Sequence, residues 1–277
     1  MSENNLNNTP APQRPLAAIT GASDGLGKEF ARQLASEGYD LLLAARRGEL
    51  LGEIKGEFES CYGILVEPYV CDLSQPDEVV RLEERLLAAE NLEFMVNNAG
   101  FGNYGTFPNV NADTEAKMIQ VHVTSLMRLS RAALVPMCNR GRGYLINLSS
   151  VAAFLCGRDC AEYVATKSYV LSFSKCVQYD VKKYGVRVQT LCPGLTHTGF
   201  HSSATMKGFK KEKTPRFLWL KAEYVVRTSL KSIRNTKRVV CVPSIIYKLA
   251  LVLLANPIGN KICELFSGRT ERNPNGE

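Results

Sequence analysis

The stretch LAAITGASDGLGKEF, residues 16–30, joins the first apolar run of the chain to a cluster of glycines. The run LAAIT predicts a buried strand, and the segment after the glycines predicts a helix. Gly21, Gly25 and Gly27 allow the backbone to turn sharply and to approach a ligand closely. The exposed N–H groups at the start of the following helix favour a pyrophosphate. The stretch therefore indicates a nucleotide-binding turn, although its spacing differs from the usual G-x-G-x-x-G and every tight turn favours glycine.

Apolar runs alternate with longer helical patterns along the rest of the chain. This alternation predicts a parallel sheet with helices on both faces. The runs are apolar throughout, as expected of parallel strands that are buried on both faces. Because no repeat and no Gly/Ser/Pro-rich linker interrupts the pattern, we expect an α/β, Rossmann-type doubly wound sheet in one domain, residues 15–270. After LAAIT, the predicted strands are 39–46, 64–72, 92–100, 143–150, 186–194 and 238–243.

The composition is that of an ordinary globular protein, with 45% hydrophobic residues among 277. Its nine cysteines are scattered and odd in number, which favours a reduced, cytoplasmic location over a disulfide framework. Cys156 and Cys160 have no accompanying histidine at zinc spacing, so we expect no metal site. The polar residues 1–14 have no apolar core of a signal peptide and are expected to form a disordered leader.

The net charge of +7 is moderate, and no arginine run with interleaved aromatic residues indicates nucleic-acid binding. An apolar segment lies near the C-terminus, at about residues 239–266, and Pro243, Lys248 and Pro257 interrupt it. Its uninterrupted part is shorter than the roughly 18–20 residues that span a bilayer. We expect a buried helix, an interface, or a helix that lies on a membrane surface.

The end of the second predicted strand, LLLAARR, bears on the choice of nucleotide. An acidic residue at this point holds the ribose 2′-hydroxyl of NAD, whereas an arginine accommodates the 2′-phosphate of NADP. Here Ala45 stands where the acid is expected, and Arg46 and Arg47 follow it. A guanidinium fork suits a phosphate, so the sequence favours NADP(H) over NAD(H), with Arg46 as the contact. The alternative is a solvated basic turn.

The stretch EYVATKSY, residues 162–169, places Tyr163 four residues before Lys167. In a helix the two side chains share one face. The same spacing also occurs where a lysine simply extends to solvent, and the chain has a second such pair in Tyr179 and Lys183. The pair alone therefore indicates little, and the surrounding motifs decide its meaning.

Four motifs occur in order: TGASDGLG, NNAG, a serine before YVATK, and CPG. Each is modest alone, but the set resembles the classical short-chain dehydrogenase/reductase family, closely over about residues 15–200. The resemblance implies a carbonyl–alcohol oxidoreductase with catalytic Ser150, Tyr163 and Lys167, and a structural role for Ser149. The implied cofactor contacts are Gly21, Ser23, Gly25, Leu26, Gly27, Arg46, Asp72, Leu73, Asn98, Ala99, Gly100, Tyr163, Lys167, Pro193, Gly194 and Thr198.

One position departs from the family pattern. Where the family has an asparagine in the helix after NNAG, this chain has His122, in QVHVTS. The family asparagine is thought to stabilise a kinked helix and a water that connects the catalytic lysine to solvent. Histidine can also donate or accept a hydrogen bond. His122 is therefore a candidate catalytic residue. The alternatives are that it weakens the proton relay to Lys167, or that it is a packed side chain with little effect on catalysis.

The implied chemistry explains why a phenol stands beside an ammonium. Tyr163 would move the proton of the substrate oxygen, but the ordinary pKa of tyrosine is about 10. A nearby Lys167 ammonium favours phenolate, so we expect it to lower the pKa of Tyr163 towards the working pH. Ser150 would hydrogen-bond the same oxygen and orient the carbonyl.

The substrate is less well defined by the sequence. Residues 195–222 are long enough to form a lid and carry aromatic residues among several lysines. An apolar substrate with an anionic handle, such as an acyl thioester, fits this composition; a lid whose charges face water is the alternative. The resemblance further implies a homodimer or homotetramer. A non-catalytic NADP-binding regulator or scaffold with the same fold is the alternative to an enzyme.

Overall fold

The computed structural model describes residues 13–200, 204–206 and 214–254. Its main sheet has seven parallel strands in the order β3-β2-β1-β4-β5-β6-β9, and β7 pairs with β8 separately. The strands are β1 Leu16–Thr20, β2 Asp40–Ala45, β3 Val66–Val70, β4 Leu92–Asn97, β5 Gly143–Leu148, β6 Val186–Leu191, β7 Thr196–His197, β8 Leu220–Lys221 and β9 Val240–Cys241. The helices are α1 Gly25–Ser36, α2 Gly48–Tyr62, α3 Pro76–Leu87, α4 Ala112–Ile119, α5 Leu126–Arg140, α6 Ala161–Val181, α7 Ala222–Asn235 and α8 Ile245–Leu254.

The predicted fold class, a doubly wound parallel sheet, is confirmed. The chain builds β1, β2 and β3 in one direction and then crosses to β4 on the other side of β1. Two neighbouring strands, β1 and β4, therefore continue into loops that diverge to opposite sides of the sheet. In open α/β sheets, ligands bind in the crevice at this switch point, beyond the carboxyl ends of the strands.

Helices cover both faces of the sheet because alternate residues of each strand are buried on opposite sides. In β1, Ala17 and Ile19 join a core cluster formed with α1, α2 and α7, whereas Leu16 and Ala18 join a second cluster with α3, α5 and α6. All five residues of β1 are buried. The central strands are therefore apolar because both of their faces are buried, as the sequence predicted.

The edge strand β3 departs from that expectation. Its burial alternates, and Val70 at its end is 63% exposed. Pro68 lies in this strand, where a residue without a backbone N–H is tolerated because one side of the strand has no partner. The expectation of strands buried on both faces is therefore wrong for β3, which lies at the rim of the sheet.

Local sequence signals set the helix ends. Helix α3 begins with Pro76, has Asp77 and Glu78 in its first turn and has Arg85 in its last. Proline fits the first helical position, and these charges match the helix dipole. Helix α2 stops at Gly63, whose φ of 62° is left-handed.

Helices α4 and α5 are joined without a break by a π-helical segment, Gln120–Ser125. Within it, the Ser125 hydroxyl lies 2.8 Å from the Gln120 carbonyl oxygen and 2.8 Å from that of Leu73. The widened turn contains His122. Such π-segments occur often at functional sites.

The segment expected to act as a lid begins and ends in the short pair β7 and β8, with His197 stacked on Trp219 at 5.2 Å between ring centroids. Helix α8 holds this base through Tyr247, whose hydroxyl accepts from the Leu195 N–H and donates to the Leu218 carbonyl, both at 3.0 Å. The expected lid, residues 195–222, and the domain boundaries stay predictions.

Some predicted features lie outside the described residues. They are most of the expected leader at residues 1–12, the lysine-rich part of the lid at 207–213, and the end of the apolar segment at 255–266. The described part of that segment forms β9 and α8. Across the described ranges, no helix is both long enough and apolar enough to cross a membrane.

Candidate active site

The glycine turn between β1 and α1 has the geometry expected from its sequence. Gly21 and Gly25 have φ of 63° and 56°, in the left-handed region. A Cβ on Gly27 would lie 2.2 Å from the Gly21 carbonyl oxygen, so the turn closes on the helix only with glycine there. Asp24 caps α1 by accepting from the Gly25 N–H at 2.7 Å, and the first turn of α1 contains no acidic residue. The Asp24 carboxylate therefore occupies the Gly25 N–H, and no acidic side chain follows it in the first turn of α1.

An arginine lies against this turn, and it is Arg47. Its guanidinium donates to the Ser23 hydroxyl from Nη2 at 2.9 Å and from Nε at 3.2 Å. Arg46, which the sequence favoured, is exposed beside it. The sequence placed a cation at the end of β2 but did not determine which of two successive side chains turns towards Ser23.

The loop after β4 is bonded to the glycine turn. The Thr20 hydroxyl oxygen accepts from the backbone N–H groups of Asn98 and Ala99, both at 3.0 Å. The Asn98 side-chain amide donates to the carbonyls of Thr20 at 3.0 Å and Gly21 at 3.2 Å. The NNAG motif thus joins the two strand ends at the switch point, and the Asn98 side chain is used in that joint.

Three residues expected to contact a cofactor have clear local roles. Asp72 follows β3, and its Oδ1 accepts from the Ser74 N–H at 2.9 Å. The side chains of Leu26 and Leu73 are buried in the two core clusters. Only the backbone of these leucines is available to a ligand.

Ser150 and Tyr163 come together from different elements. Ser150 follows β5 and begins a 3-10 turn, where its Oγ accepts from the Ala152 N–H at 3.1 Å. Tyr163 lies in the first turn of α6 and is partly buried. Burial raises the pKa of Tyr163 to about 12, and the hydrogen bond from Ser150 opposes this rise.

Lys167 is buried one turn further along α6. Its Nζ donates to the Leu148 carbonyl at 2.9 Å and lies 5.6 Å from the centroid of the Tyr163 ring. Burial lowers the pKa of Lys167 to about 8. Burial therefore dominates both groups, and the pKa of Tyr163 lies above its ordinary value instead of below it, contrary to the expectation from the sequence.

Ser149 has a structural role, and the second tyrosine–lysine pair, Tyr179 and Lys183, lies on the surface. The Ser149 hydroxyl donates to the Lys167 carbonyl at 2.7 Å and so fixes α6 to the end of β5, which is a structural role. Tyr179 is 72% exposed, and Lys183 lies in the turn after α6. This pair faces solvent, and Tyr163 and Lys167 are the pair at the sheet edge.

His122 is buried behind the tyrosine, with 1% of its surface exposed. Its Nε2 accepts from the Phe101 N–H at 3.0 Å, and its Nδ1 lies 3.0 Å from the Thr166 hydroxyl. Its ring meets that of Tyr163 edge-on, with centroids 6.0 Å apart. The histidine contacts the catalytic helix but not the tyrosine hydroxyl.

The remaining predicted residues lie between the glycine turn and the tyrosine. The Pro193 carbonyl accepts from the Val151 N–H at 3.0 Å, just after Ser150. The Thr198 side chain packs on Gly25, where a Cβ would lie 3.0 Å from it. A Cβ on Gly194 would lie 2.0 Å from the Tyr247 ring. The segment after β6 thus runs from the serine to the glycine turn.

Several site-forming residues gave no signal in the sequence. The Asn97 amide donates to Ser130 at 2.9 Å and to Asn147 at 2.8 Å, and Asn147 donates to Ser174 at 3.0 Å. This buried network holds β4 and β5 to α5 and α6. Asn97 belongs to the NNAG motif, but nothing in that motif identifies its partners Ser130, Asn147 and Ser174, which are dispersed in the sequence.

On the substrate side, apolar and acidic residues surround Tyr163. The Phe200 ring lies 5.9 Å from the Tyr163 ring, and Phe200 and Met206 both pack against Gly102. A small pocket beside Tyr163 is also lined by Glu115, Asp159 and Glu162. Burial and the nearby Glu115 raise the pKa of Glu162. This pocket is unfavourable for a substrate group that is itself negatively charged.

The chain belongs to the short-chain dehydrogenase family, whose family model matches residues 15–207. Over 186 residues it is 32% identical to the very-long-chain 3-oxoacyl-CoA reductase-A of Danio rerio. That match covers 66% of this chain and 58% of the zebrafish protein, so the chain spans less than two thirds of its relative's length.

Two solved structures share the whole fold. A short-chain dehydrogenase from Sphingobium yanoikuyae in complex with NADPH is 25% identical with a TM-score of 0.79, covering 95% of this chain and 99% of that one. An alcohol dehydrogenase from Thermococcus sibiricus complexed with 5-hydroxy-NADP is 26% identical with a TM-score of 0.73, covering 85% of this chain and 98% of that one.

Proposed function

We propose that this protein is an NADP(H)-dependent oxidoreductase that interconverts a carbonyl and a secondary alcohol. The observation that carries the proposal is the meeting of Ser150, Tyr163 and Lys167 at the carboxyl end of the sheet. Ser150 is close enough to the phenol of Tyr163 to lower its pKa by hydrogen bonding, and the Lys167 Nζ lies 5.6 Å from the centroid of the tyrosine ring. This set lies on the same edge of the sheet as the glycine turn, which supports a dinucleotide site between them.

The three residues divide the work of proton transfer. The nicotinamide cofactor supplies the hydride when it is bound. In the reducing direction, Ser150 donates a hydrogen bond to the carbonyl oxygen and Tyr163 gives it a proton. A pKa of about 12 keeps Tyr163 protonated at neutral pH, so that it has a proton to give. Lys167, as an ammonium, stabilises the phenolate that forms, and its anchor on Leu148 holds it in place.

Several features support NADP(H) over NAD(H). Ala45 at the end of β2 cannot hold a ribose hydroxyl as an acid does, and the Arg47 guanidinium is already fixed at Ser23 of the glycine turn. An arginine fork matches a phosphate. The Sphingobium and Thermococcus structures, at 25% and 26% identity, contain NADPH and an NADP derivative.

The favoured substrate is an apolar carbonyl compound, such as a 3-oxoacyl thioester. Phe200 and Met206 supply apolar surface close to Tyr163, and the zebrafish relative is named as a 3-oxoacyl-CoA reductase. The carboxylates of Glu115, Asp159 and Glu162 oppose a negative group in the small pocket beside the tyrosine. The anionic end of a thioester would therefore have to lie outside this pocket.

A carbonyl screen tests this function. Oxidation of NADPH is followed with a series of 3-oxoacyl thioesters and with uncharged ketones of matching chain length. The proposal expects turnover that rises with chain length in both series. Equal turnover of charged and uncharged compounds would argue against recognition of an anionic group in the substrate. The absence of turnover throughout would favour a non-catalytic NADP-binding protein.

Location and assembly are part of the proposal. We propose a cytoplasmic homodimer or homotetramer, as the composition and the family resemblance implied. Light scattering of the purified protein measures the assembly directly, and a monomer at working concentration would reject it. Contact of the apolar helix α8 with a membrane is tested by flotation with liposomes, where a lack of retention would reject it.

A further inference from the structure

We infer that His122, with its proton fixed on Nδ1, is a positioning residue that ties the loop after β4 to the backbone of the catalytic tyrosine. The inference rests on the proposed function, because the hydrogen bonds of His122 would fix the distance between the loop after β4, on the cofactor side, and the proton donor Tyr163. It gives the unusual histidine a defined role in place of the alternatives that the sequence left open.

The direction of each hydrogen bond follows from chemistry. The backbone N–H of Phe101 can only donate, so the Nε2 of His122, 3.0 Å away, must accept and carries no proton. The single proton of a neutral imidazole is then on Nδ1, which donates to the Thr166 hydroxyl at 3.0 Å. Thr166 in turn donates to the Tyr163 carbonyl at 3.0 Å.

These bonds form one directed chain from Phe101 through His122 and Thr166 to Tyr163. Every donor in it has one acceptor, and the hydroxyl of Thr166 both accepts and donates. Such chains strengthen their members in a buried setting. The chain connects the loop that holds Asn98 and Ala99 at the glycine turn to the first turn of α6. It therefore bridges the two halves of the site.

Packing leaves the imidazole little freedom. A Cβ on Gly100 would lie 2.6 Å from Nε2, so the glycine of NNAG provides the room that this ring occupies. The Phe101 ring lies 5.8 Å from the imidazole on one side and the Tyr163 ring 6.0 Å on another. A rotated or displaced imidazole would lose both hydrogen bonds.

The surroundings also oppose a proton-relay role. Among the described residues that face the ring, Gly100 and Phe101 do not titrate, and Tyr163 and Lys167 come from α6. Burial lowers the pKa of His122 well below its usual value, and the Lys167 ammonium lowers it further. Protonation would also place a proton on Nε2 against the N–H of Phe101. The ring therefore stays neutral and holds position.

The bond network is tested first in the wild-type protein by ¹⁵N NMR of its three histidines, with His122 assigned from the spectrum of H122Q. We expect an Nδ1-protonated neutral ring that does not titrate between about pH 5 and 8, where an ordinary histidine changes charge. An Nε2-protonated ring, or one that titrates in that range, would overturn the inference. This measurement needs neither cofactor nor turnover.

The positioning role is tested with two variants of matched shape. T166V removes the hydroxyl, whereas T166S keeps it. We expect T166V to lower kcat by about 10- to 100-fold, the effect of a misplaced catalytic group, and T166S to stay near the wild type. H122A should resemble T166V, and H122Q, whose amide can accept and donate, should recover part of the loss.

Two further results separate positioning from its alternatives. The double variant H122A/T166V should be little worse than either single variant, because both break one chain. The loss should be the same at every pH, since a neutral spacer does not titrate. Additive losses, or a changed pH profile in H122A, would contradict the inference.

L129A controls for a loss of stability alone, because Leu129 is buried in α5 away from the site. It should lower the melting temperature without the loss in kcat, and an equal loss in kcat would contradict positioning. If the wild type reduces no carbonyl, the proposed function fails, whereas the histidine spectrum still decides the hydrogen-bond chain.

Discussion

Replacing Arg47 by alanine should weaken NADPH binding and leave NADH binding nearly unchanged. The Arg47 side chain donates two hydrogen bonds to Ser23 in the glycine turn. It makes no side-chain cap to α2, although the residue occupies the N-cap position. The substitution therefore removes a cation beside the nucleotide site without removing a bond that holds a helix.

The magnitude follows from the exposure of this side chain. A hydrogen bond to a charged group contributes about 1.5–3 kcal/mol, whereas an exposed ion pair contributes about 1 kcal/mol or less. Arg47 is exposed, so the loss should lie between these ranges, at about 1.4 kcal/mol. That corresponds to a roughly tenfold rise in the Kd for NADPH.

The assay is a titration of NADPH and NADH fluorescence at one fixed ionic strength, because added salt screens exposed charges. R46A is the matched control, since it removes the neighbouring exposed arginine. An unchanged NADPH affinity in R47A would show that Arg47 does not contact the cofactor phosphate. A loss in R46A instead would restore the assignment that the sequence favoured.

Two further predictions concern the glycine turn and the pH dependence. G27A should abolish dinucleotide binding, because its Cβ would lie 2.2 Å from the Gly21 carbonyl oxygen; G52A, with nothing within 4 Å, should bind normally and raise helix stability by about 0.5–1 kcal/mol. Normal binding by G27A would show that the turn is looser than described. Burial lowers the Lys167 pKa to about 8, so the ammonium is present below that pH and carbonyl reduction should fall as pH rises through it. Tyr163, with a pKa of about 12, stays protonated throughout, and K167M should lose the fall near pH 8; a fall that persists in K167M would assign it to another group.

The fold was predictable because its signals are local and repeated. Each apolar run is followed by a helical pattern, and the glycine turn after β1 specifies the first crossover. The edge position of β3 was not predictable in the same way. Strand order depends on contacts between distant segments, and Pro68 was the one local sign that this strand has a free side.

The site was predictable as a set of residues but less so in its electrostatics. The motifs located Ser150, Tyr163 and Lys167, which the structure brings together. Spacing alone could not show that burial dominates both titrating groups, raising the pKa of Tyr163 and lowering that of Lys167. The burial of Tyr163 and Lys167 depends on how the whole chain packs, so it cannot be seen in the sequence of residues 163–167 alone.

The role of His122 was open for a related reason. Its partners Phe101 and Thr166 lie 21 and 44 residues away in the sequence. A histidine offers two nitrogens, and only the fold shows that one faces a backbone donor and the other a hydroxyl. Which of Arg46 and Arg47 turns towards Ser23 likewise depends on the direction in which the chain leaves β2.

We propose Tyr163 as the proton donor of an NADPH-dependent carbonyl reductase. The most direct test measures single-turnover oxidation of bound NADPH by a reactive ketone in the wild type and in Y163F, with NADPH affinity measured for both. We expect Y163F to retain NADPH binding and to react about 10²–10⁴-fold more slowly, since a positioned general acid contributes a factor of that size. A Y163F rate equal to that of the wild type would contradict it.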